Sequence, residues 1–300
     1  MKTLFQGSMV ALVTPFRNGK VDWKALKGLL QFHLEARTDA IIPTGTTGES
    51  ATLSHEEHRR VMSFVVEFVD RRVPVICGTG SNNTAEALGL IRHAKQIKAD
   101  GVLVVTPYYN RPTQEGLYRH YSFLASKVEI PMILYNVPGR TGVSIAPQTV
   151  ARLSKIENIV AIKEASGSLD QVDQILELCG LTVLSGEDSL TMPMMAIGAR
   201  GVISVTANVV PSLVREMVHA VLNGDLEQGR ELHRKHYPLS KVLFLETNPI
   251  PVKTALGMMG LIRPELRLPL CEMSSENQEK LRRVLADLGV LRKKKGRRVR

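Results

Sequence analysis

The sequence predicts a (β/α)8 barrel with a small helical extension at its C-terminal end. Three observations predict it. Eight short apolar runs, at 9–13, 40–42, 73–77, 101–105, 132–134, 159–162, 182–184 and 202–205, are rich in Val and Ile and lack polar alternation. Parallel strands covered on both faces read this way. Helix-length amphipathic segments separate the runs, and the eight repeats span about 205 residues, near the roughly 250 of a typical barrel. A doubly wound sheet is the alternative, but the first strand–helix turn carries no GxGxxG.

The elements follow in order. Helical segments are expected at 23–35, 54–70, 84–98, 114–127 and 169–178. Ser54 opens its segment with a capping box, since Glu57 stands three residues on. Asn83 or Thr84 suits the next cap, and Pro147 suits a first helical turn. After Val205 the strand-like runs stop and helical ones continue at 212–222, 226–246, 251–259 and 276–288. The expected division is a catalytic barrel over 1–224, a helical extension over 225–291 and a basic tail over 292–300. Blocks of like charge stay disordered.

Bulk properties exclude several classes. The formal net charge is +10, but the tail holds seven basic residues, and without them the charge is +3. The basicity is a local appendage, and no specific nucleic-acid partner is expected. Cys77, Cys179 and Cys271 are far apart and form no CxxC. So sparse a set points to a reducing compartment, and the expected location is the cytoplasm. No signal-peptide core occurs near the start, and no apolar run approaches the roughly 20 residues of a membrane helix. His55-Glu56-Glu57-His58 resembles a metal motif, yet it is not HExxH and no further ligand spacing completes it. Neither a metal nor a cofactor is expected.

The chemistry sits at strand ends. One apolar run closes on Lys163 and another on Tyr135. In parallel α/β proteins the C-terminal strand ends form the reactive face. A buried amine beside a phenol is equipment for Schiff-base chemistry on a carbonyl substrate. Tyr135 can pass protons, with Thr47 as partner hydroxyl. Gly45-Thr46-Thr47-Gly48-Glu49 follows the second strand, and its backbone N–H groups and hydroxyls can cradle a carboxylate. It lacks the Gly-Lys-Ser/Thr ending of a phosphate loop. Arg140 offers a bidentate fork for a second carboxylate. Tyr108 and Tyr109 stand in a loop between Pro107 and Pro112, where they line a pocket or an oligomer contact.

With these residues assembled, the chain resembles the pyruvate-dependent class I aldolase/lyase family. The resemblance runs from about residue 7 to 290 and rests on GTTGESATL, VTPYYNRPTQEGLY, ILYNVPGRTG, IKEASG, SGED, GARGVISVTANV and NPIPVK in that order. It implies condensation of pyruvate with L-aspartate 4-semialdehyde to (2S,4S)-4-hydroxy-2,3,4,5-tetrahydrodipicolinate, in the diaminopimelate route to L-lysine. Lys163 would form the Schiff base. Tyr135 would move protons, linked through Thr47 to Tyr109 of a neighbouring subunit. Thr46 and Thr47 would hold the pyruvate carboxylate, Arg140 would bind that of the aldehyde, and Gly186 and Ile203 would shape the pocket. The alternative within the family is another aldolase, an N-acetylneuraminate lyase or a keto-sugar acid aldolase. Thr46 and Arg140 discriminate against it.

The resemblance also implies an L-lysine effector site on Ser50, Ala51, His55, His58, Asn82, Glu86 and Tyr108, and a homotetramer built as a dimer of dimers. Two departures stand out. Arg37 occupies a position where related chains turn on glycine, which predicts a strained or differently closed helix end. The basic tail is the other.

Overall fold

The structure is a computed structural model and describes residues 4–291; the basic tail at 292–300 lies outside the described residues. The strands are β1 (Gly7–Ala11), β2 (Phe16–Arg17), β3 (Lys20–Val21), β4 (Ala40–Ile42), β5 (Ile76–Gly78), β6 (Gly101–Val105), β7 (Met132–Asn136), β8 (Ile159–Glu164), β9 (Thr182–Ser185) and β10 (Gly201–Ser204). Eight of them form one parallel sheet in the order β4-β1-β10-β9-β8-β7-β6-β5. A parallel bridge between Ile41 and Val75 joins the two ends. The sheet therefore closes on itself with helices between its strands: the chain is a (β/α)8 barrel followed by helices at Leu226–Val242, Ile250–Met258 and Ser275–Asp287. No described helix is long and apolar enough to cross a membrane.

Two apolar layers hold it. The larger lies between the strands' outer faces and the helices, with Val10, Ile41, Val102, Leu134, Ile162 and Val183 among its strand residues. The smaller fills the lumen with Met9, Ala11, Ile42, Ile76, Leu103, Ile133, Ala161, Leu184 and Ile203. The alternation follows from side chains pointing to opposite faces at every second residue. Tyr135 belongs to the lumen set. Lys163 lies two residues after Ala161 and inherits the same inward direction.

Local sequence explains most boundaries. Ser54 and Glu57 form the expected capping box, with the Ser54 hydroxyl accepting from Glu57 N–H at 3.1 Å and Glu57 accepting from Ser54 N–H at 3.0 Å. Asn83, not Thr84, caps Thr84–Gln96. Pro147 begins the short helix Pro147–Leu153. Leu226–Val242 stops four residues short of the expected end at 246. Sequence reasoning missed the β2–β3 ribbon and the six-residue helix Thr191–Ala196.

The first helix, Trp23–Glu35, closes on Arg37, which adopts φ of +58°. Thr38 N–H reaches back to His33 O at 3.0 Å. The motif is the one a glycine normally serves, and an arginine in the left-handed region costs about 1–2 kcal/mol. His33 on this helix is fully buried and touches Thr38 Oγ1 at 3.1 Å. Burial pushes the pKa of its imidazole down to about 3.

That histidine sets a pH dependence. Unfolding lets it take a proton below its ordinary value of 6.5, so the unfolded state binds more protons and stability falls as pH drops. Between pH 7 and pH 5, His33 is expected to remove about 2 kcal/mol of stability. Urea midpoints at the two pH values should differ by less in His33→Leu than in the wild type.

Candidate active site

The register of the parallel sheet builds the site. Tyr135 on β7 pairs with Lys163 on β8, and Lys163 pairs with Leu184 on β9. Lys163 is 5% exposed and Tyr135 7%. The Lys163 Nζ lies 4.2 Å from the centroid of the Tyr135 ring. Each strand runs one residue past this pair, to Asn136 and Glu164, which are also in register. Those two point outward into a buried polar network. Glu164 accepts from Asn136 Nδ2 at 2.9 Å, Ser166 N–H at 2.7 Å and Gln171 Nε2 at 3.1 Å. Burial raises the Glu164 pKa, and these hydrogen bonds oppose the rise. The strand ends are thus tied down directly behind Lys163 and Tyr135.

Gly186 follows β9 and packs against Ala165 and the Lys163 stem. A β-carbon there would lie 2.6 Å from Ala165 Cβ and 3.0 Å from Lys163 Cε. Only glycine leaves the lysine stem its path. Ile203, 1% exposed on β10, packs in the lumen. Glu187, next to Gly186, has its pKa raised by burial and by Asp188, with Lys163 and Arg140 among the cations lowering it.

The Gly45–Glu49 segment folds into a tight turn. Gly48 N–H donates to Gly45 O at 3.0 Å and Glu49 N–H to Thr46 O at 3.1 Å. Thr47 is buried and Thr46 half-buried. Thr46 and Arg140 share the wall of a cavity of about 510 Å³ with Val105, Val137 and Asn248. Val105 flanks Tyr135 in the sheet, so the cavity meets the barrel mouth beside the Tyr135–Lys163 pair. Ser50, Ala51, His55, His58, Glu86 and Tyr108 line the same cavity. Asn82 is not on its wall; its carbonyl accepts from Asn110 Nδ2 at 2.9 Å.

Within that cluster His55 Nε2 lies 3.6 Å from Glu86, and Ser81 donates to Glu86 at 2.7 Å. His58 donates from Nε2 to Gly78 O at 2.8 Å, and burial lowers its pKa. Tyr109 stands apart. It is 91% exposed, has φ of +71° and takes no part in the cavity wall. A single chain does not bring Tyr109 to Tyr135.

Sequence reasoning missed two contributions from the extension. Asn248 donates from Nδ2 to Thr47 Oγ1 at 3.0 Å, and its carbonyl accepts from Arg140 Nη2 at 3.1 Å. Lys253 pairs with Glu49 at 2.5 Å, and both side chains are at most 1% exposed. Lys253 Nζ also lies 4.1 Å over the Phe16 ring. Burial lowers the Lys253 pKa and the Glu49 carboxylate pulls it back up. Glu49 accepts from Arg267 N–H at 3.2 Å as well, and it sits at φ of +52°. NPIPVK carried both residues in plain view, but nothing local said that this helix returns to the barrel mouth.

Fold and mouth together define a barrel enzyme equipped for small-molecule carbonyl chemistry. The comparisons specify it. Residues 4–288 match the model of the Dihydrodipicolinate synthetase family, and the chain belongs to that family. It is accordingly an enzyme, a lyase. It is 58% identical over 286 residues to a 4-hydroxy-tetrahydrodipicolinate synthase of Geobacter sulfurreducens, covering 95% of this chain and 99% of that one. Among solved structures, dihydrodipicolinate synthase of Aquifex aeolicus superposes with a TM-score of 0.95 at 53% identity, over 96% of this chain and all of that one. The chloride-inhibited enzyme of Acinetobacter baumannii, solved with pyruvate, gives 0.93 at 47% identity, over 95% and 99%. The enzyme of Cyanidioschyzon merolae, solved with lysine bound, gives 0.93 at 36%, over 97% and 100%.

The Glu49–Lys253 pair yields a sharp expectation. Lys253→Met leaves the buried Glu49 carboxylate without its cation, with only the Arg267 N–H on it, and should cost about 3–5 kcal/mol in urea unfolding. Lys253→Met/Glu49→Gln removes the stranded charge and should recover part of that loss.

Proposed function

We propose that the chain has 4-hydroxy-tetrahydrodipicolinate synthase activity, with Lys163 as the Schiff-base residue. One observation carries the reading: a buried lysine in register with a buried tyrosine, Nζ 4.2 Å from its ring, at the mouth of a barrel of this family. The pyruvate complex of the Acinetobacter baumannii enzyme supports the first substrate. Lys163 Nζ attacks C2 of pyruvate, and the ketone oxygen leaves as water. Loss of a C3 proton gives an enamine, whose C3 attacks the aldehyde carbon of L-aspartate 4-semialdehyde. The substrate's own amine then displaces Lys163 by transimination and closes the ring of (2S,4S)-4-hydroxy-2,3,4,5-tetrahydrodipicolinate.

The remaining residues take supporting roles. Tyr135 moves the protons of imine formation and release. Thr46 and Thr47 hold the pyruvate carboxylate, and Gly186 and Ile203 shape its pocket. Asn248 already occupies one lone pair of the Thr47 hydroxyl. That leaves the Thr47 proton for the carboxylate, and a hydroxyl giving its proton there cannot also pass one from Tyr135. The relay expected through Thr47 therefore falls to Thr46, which makes no side-chain hydrogen bond among the described residues. Thr47 is the better carboxylate anchor. Arg140 takes the carboxylate of the aldehyde. Tyr109, exposed and held in the left-handed region, completes the relay from a neighbouring subunit. That requires a dimer, and a tetramer built as a dimer of dimers accommodates it. The free cysteines suit a cytoplasmic enzyme.

Borohydride reduction in the presence of pyruvate tests the mechanism. The expected result is one adduct of pyruvate mass on Lys163, absent in Lys163→Ala. An adduct on another lysine, or none, overturns it.

L-lysine is proposed as inhibitor in the cavity lined by Ser50, Ala51, His55, His58, Glu86 and Tyr108, with Asn82, next in sequence to the wall residue Ser81, as the seventh residue. Glu86 supplies the partner for an ammonium, and the lysine-bound Cyanidioschyzon merolae enzyme supports the ligand. Glu86→Gln should weaken inhibition at least about tenfold, as expected for loss of a charged hydrogen bond. A lysine titration of the wild-type rate that stays flat removes the proposal.

A further inference from the structure

Asn248 reaches the barrel mouth from the helical extension, 201 residues along the chain from Thr47. It is 5% exposed. Its amide nitrogen donates to Thr47 Oγ1 at 3.0 Å, while its Oδ1 is buried without a partner among the described residues. The side chain therefore makes one contact, and that contact is to a hydroxyl of the candidate active site.

The direction of the contact matters. A hydroxyl has one proton to give and two lone pairs. With an N–H filling one lone pair, the Thr47 proton must point elsewhere. Among the described residues it finds no protein acceptor, so it stays available to a ligand. An ionised carboxylate only accepts. A threonine that anchors one must present its proton, not a lone pair. If the neighbour at 248 were an acceptor, Thr47 would give its proton there and turn a lone pair toward the ligand.

We propose that Asn248 is a positioning residue for pyruvate: its amide orients the Thr47 hydroxyl as a donor to the substrate carboxylate. The inference rests on the reading of Thr47 as carboxylate anchor. It adds that the extension, not the barrel, sets the polarity of that anchor. The same residue holds Arg140 through its main-chain carbonyl, at 3.1 Å. Side-chain substitution leaves that oxygen in place, so the second carboxylate site serves as an internal control.

The test is steady-state kinetics on the full chain, with borohydride trapping titrated against pyruvate. Asn248→Ala leaves the Thr47 proton free but unoriented and should raise the KM for pyruvate about fivefold, the scale of one neutral hydrogen bond. The kcat should fall less than about threefold and the KM for the aldehyde should move less than about twofold, because no contact specific to the transition state is removed. Asn248→Asp keeps the shape but reverses the contact, and should raise the pyruvate KM further. It also serves if the alanine variant does not fold. In a Thr47→Val background, Asn248→Ala should add less than about a twofold change, since residues acting through one another are non-additive.

Pyruvate KM unchanged in Asn248→Ala and Asn248→Asp overturns the inference. So do effects that multiply in the double variant. Absence of any wild-type adduct overturns the Lys163 reading instead, so the two failures are distinct.

Discussion

The register between β7 and β8 is the constraint on which the rest depends. Tyr135 and Lys163 are each two residues beyond an inward apolar residue, and the pairing places them side by side. A slip of either strand by one residue would turn its own member of the pair out of the lumen. The sheet resists this slip in two ways. Ile133 and Ala161 fill the layer below, and Asn136 bonds Glu164 in the layer above. Tyr135 and Lys163 are thus held between an apolar plug and a buried polar clasp.

A second grip comes from outside the barrel. The Gly45–Glu49 turn has a left-handed residue at each side, Thr44 and Glu49, with φ of +55° and +52°. Such a turn carries conformational cost and needs external support. Lys253 and Arg267 both bind Glu49, and both lie over the Phe16 ring. Arg267 also takes Glu57, whose carboxyl it holds down to a pKa of about 2. The extension therefore clamps the turn at its far end through Glu49 and at its centre through Asn248 to Thr47. The helices after the barrel are part of the mouth.

Much of this was legible in the residues. An apolar run ending in lysine or tyrosine marks an inward polar residue at a strand end, because the run supplies the strand and the period of two supplies the face. Lys163, Tyr135 and the Ser54–Glu57 cap were readable for that reason. The β2–β3 ribbon had a local signal too, the Asn18-Gly19 pair. Thr191–Ala196 had little, being six residues with Pro193 inside. Arg37 was readable as a left-handed seat, and the structure puts it there, with Thr38 N–H returned to His33 O. Asn248 and Lys253 were not readable as site residues. Their partners lie about two hundred residues away, and no local pattern encodes where a helix docks.

The division of labour explains why one cavity touches two clusters. Ser50–Thr52 is a single helical turn that begins directly after Glu49. Its residues line the cavity beside His55 and Glu86, while Thr46 lines it on the barrel side. Anything bound among His55, His58 and Glu86 therefore presses on a chain segment whose other end carries Thr46 and Thr47. Lys253 and Arg267 pin the joint between them at Glu49. The stretch from Thr46 to Thr52 is thus the one segment that lines the cavity beside both clusters among the described residues. A buried ion pair and a main-chain hydrogen bond from the extension, rather than the turn itself, fix the middle of that stretch at Glu49.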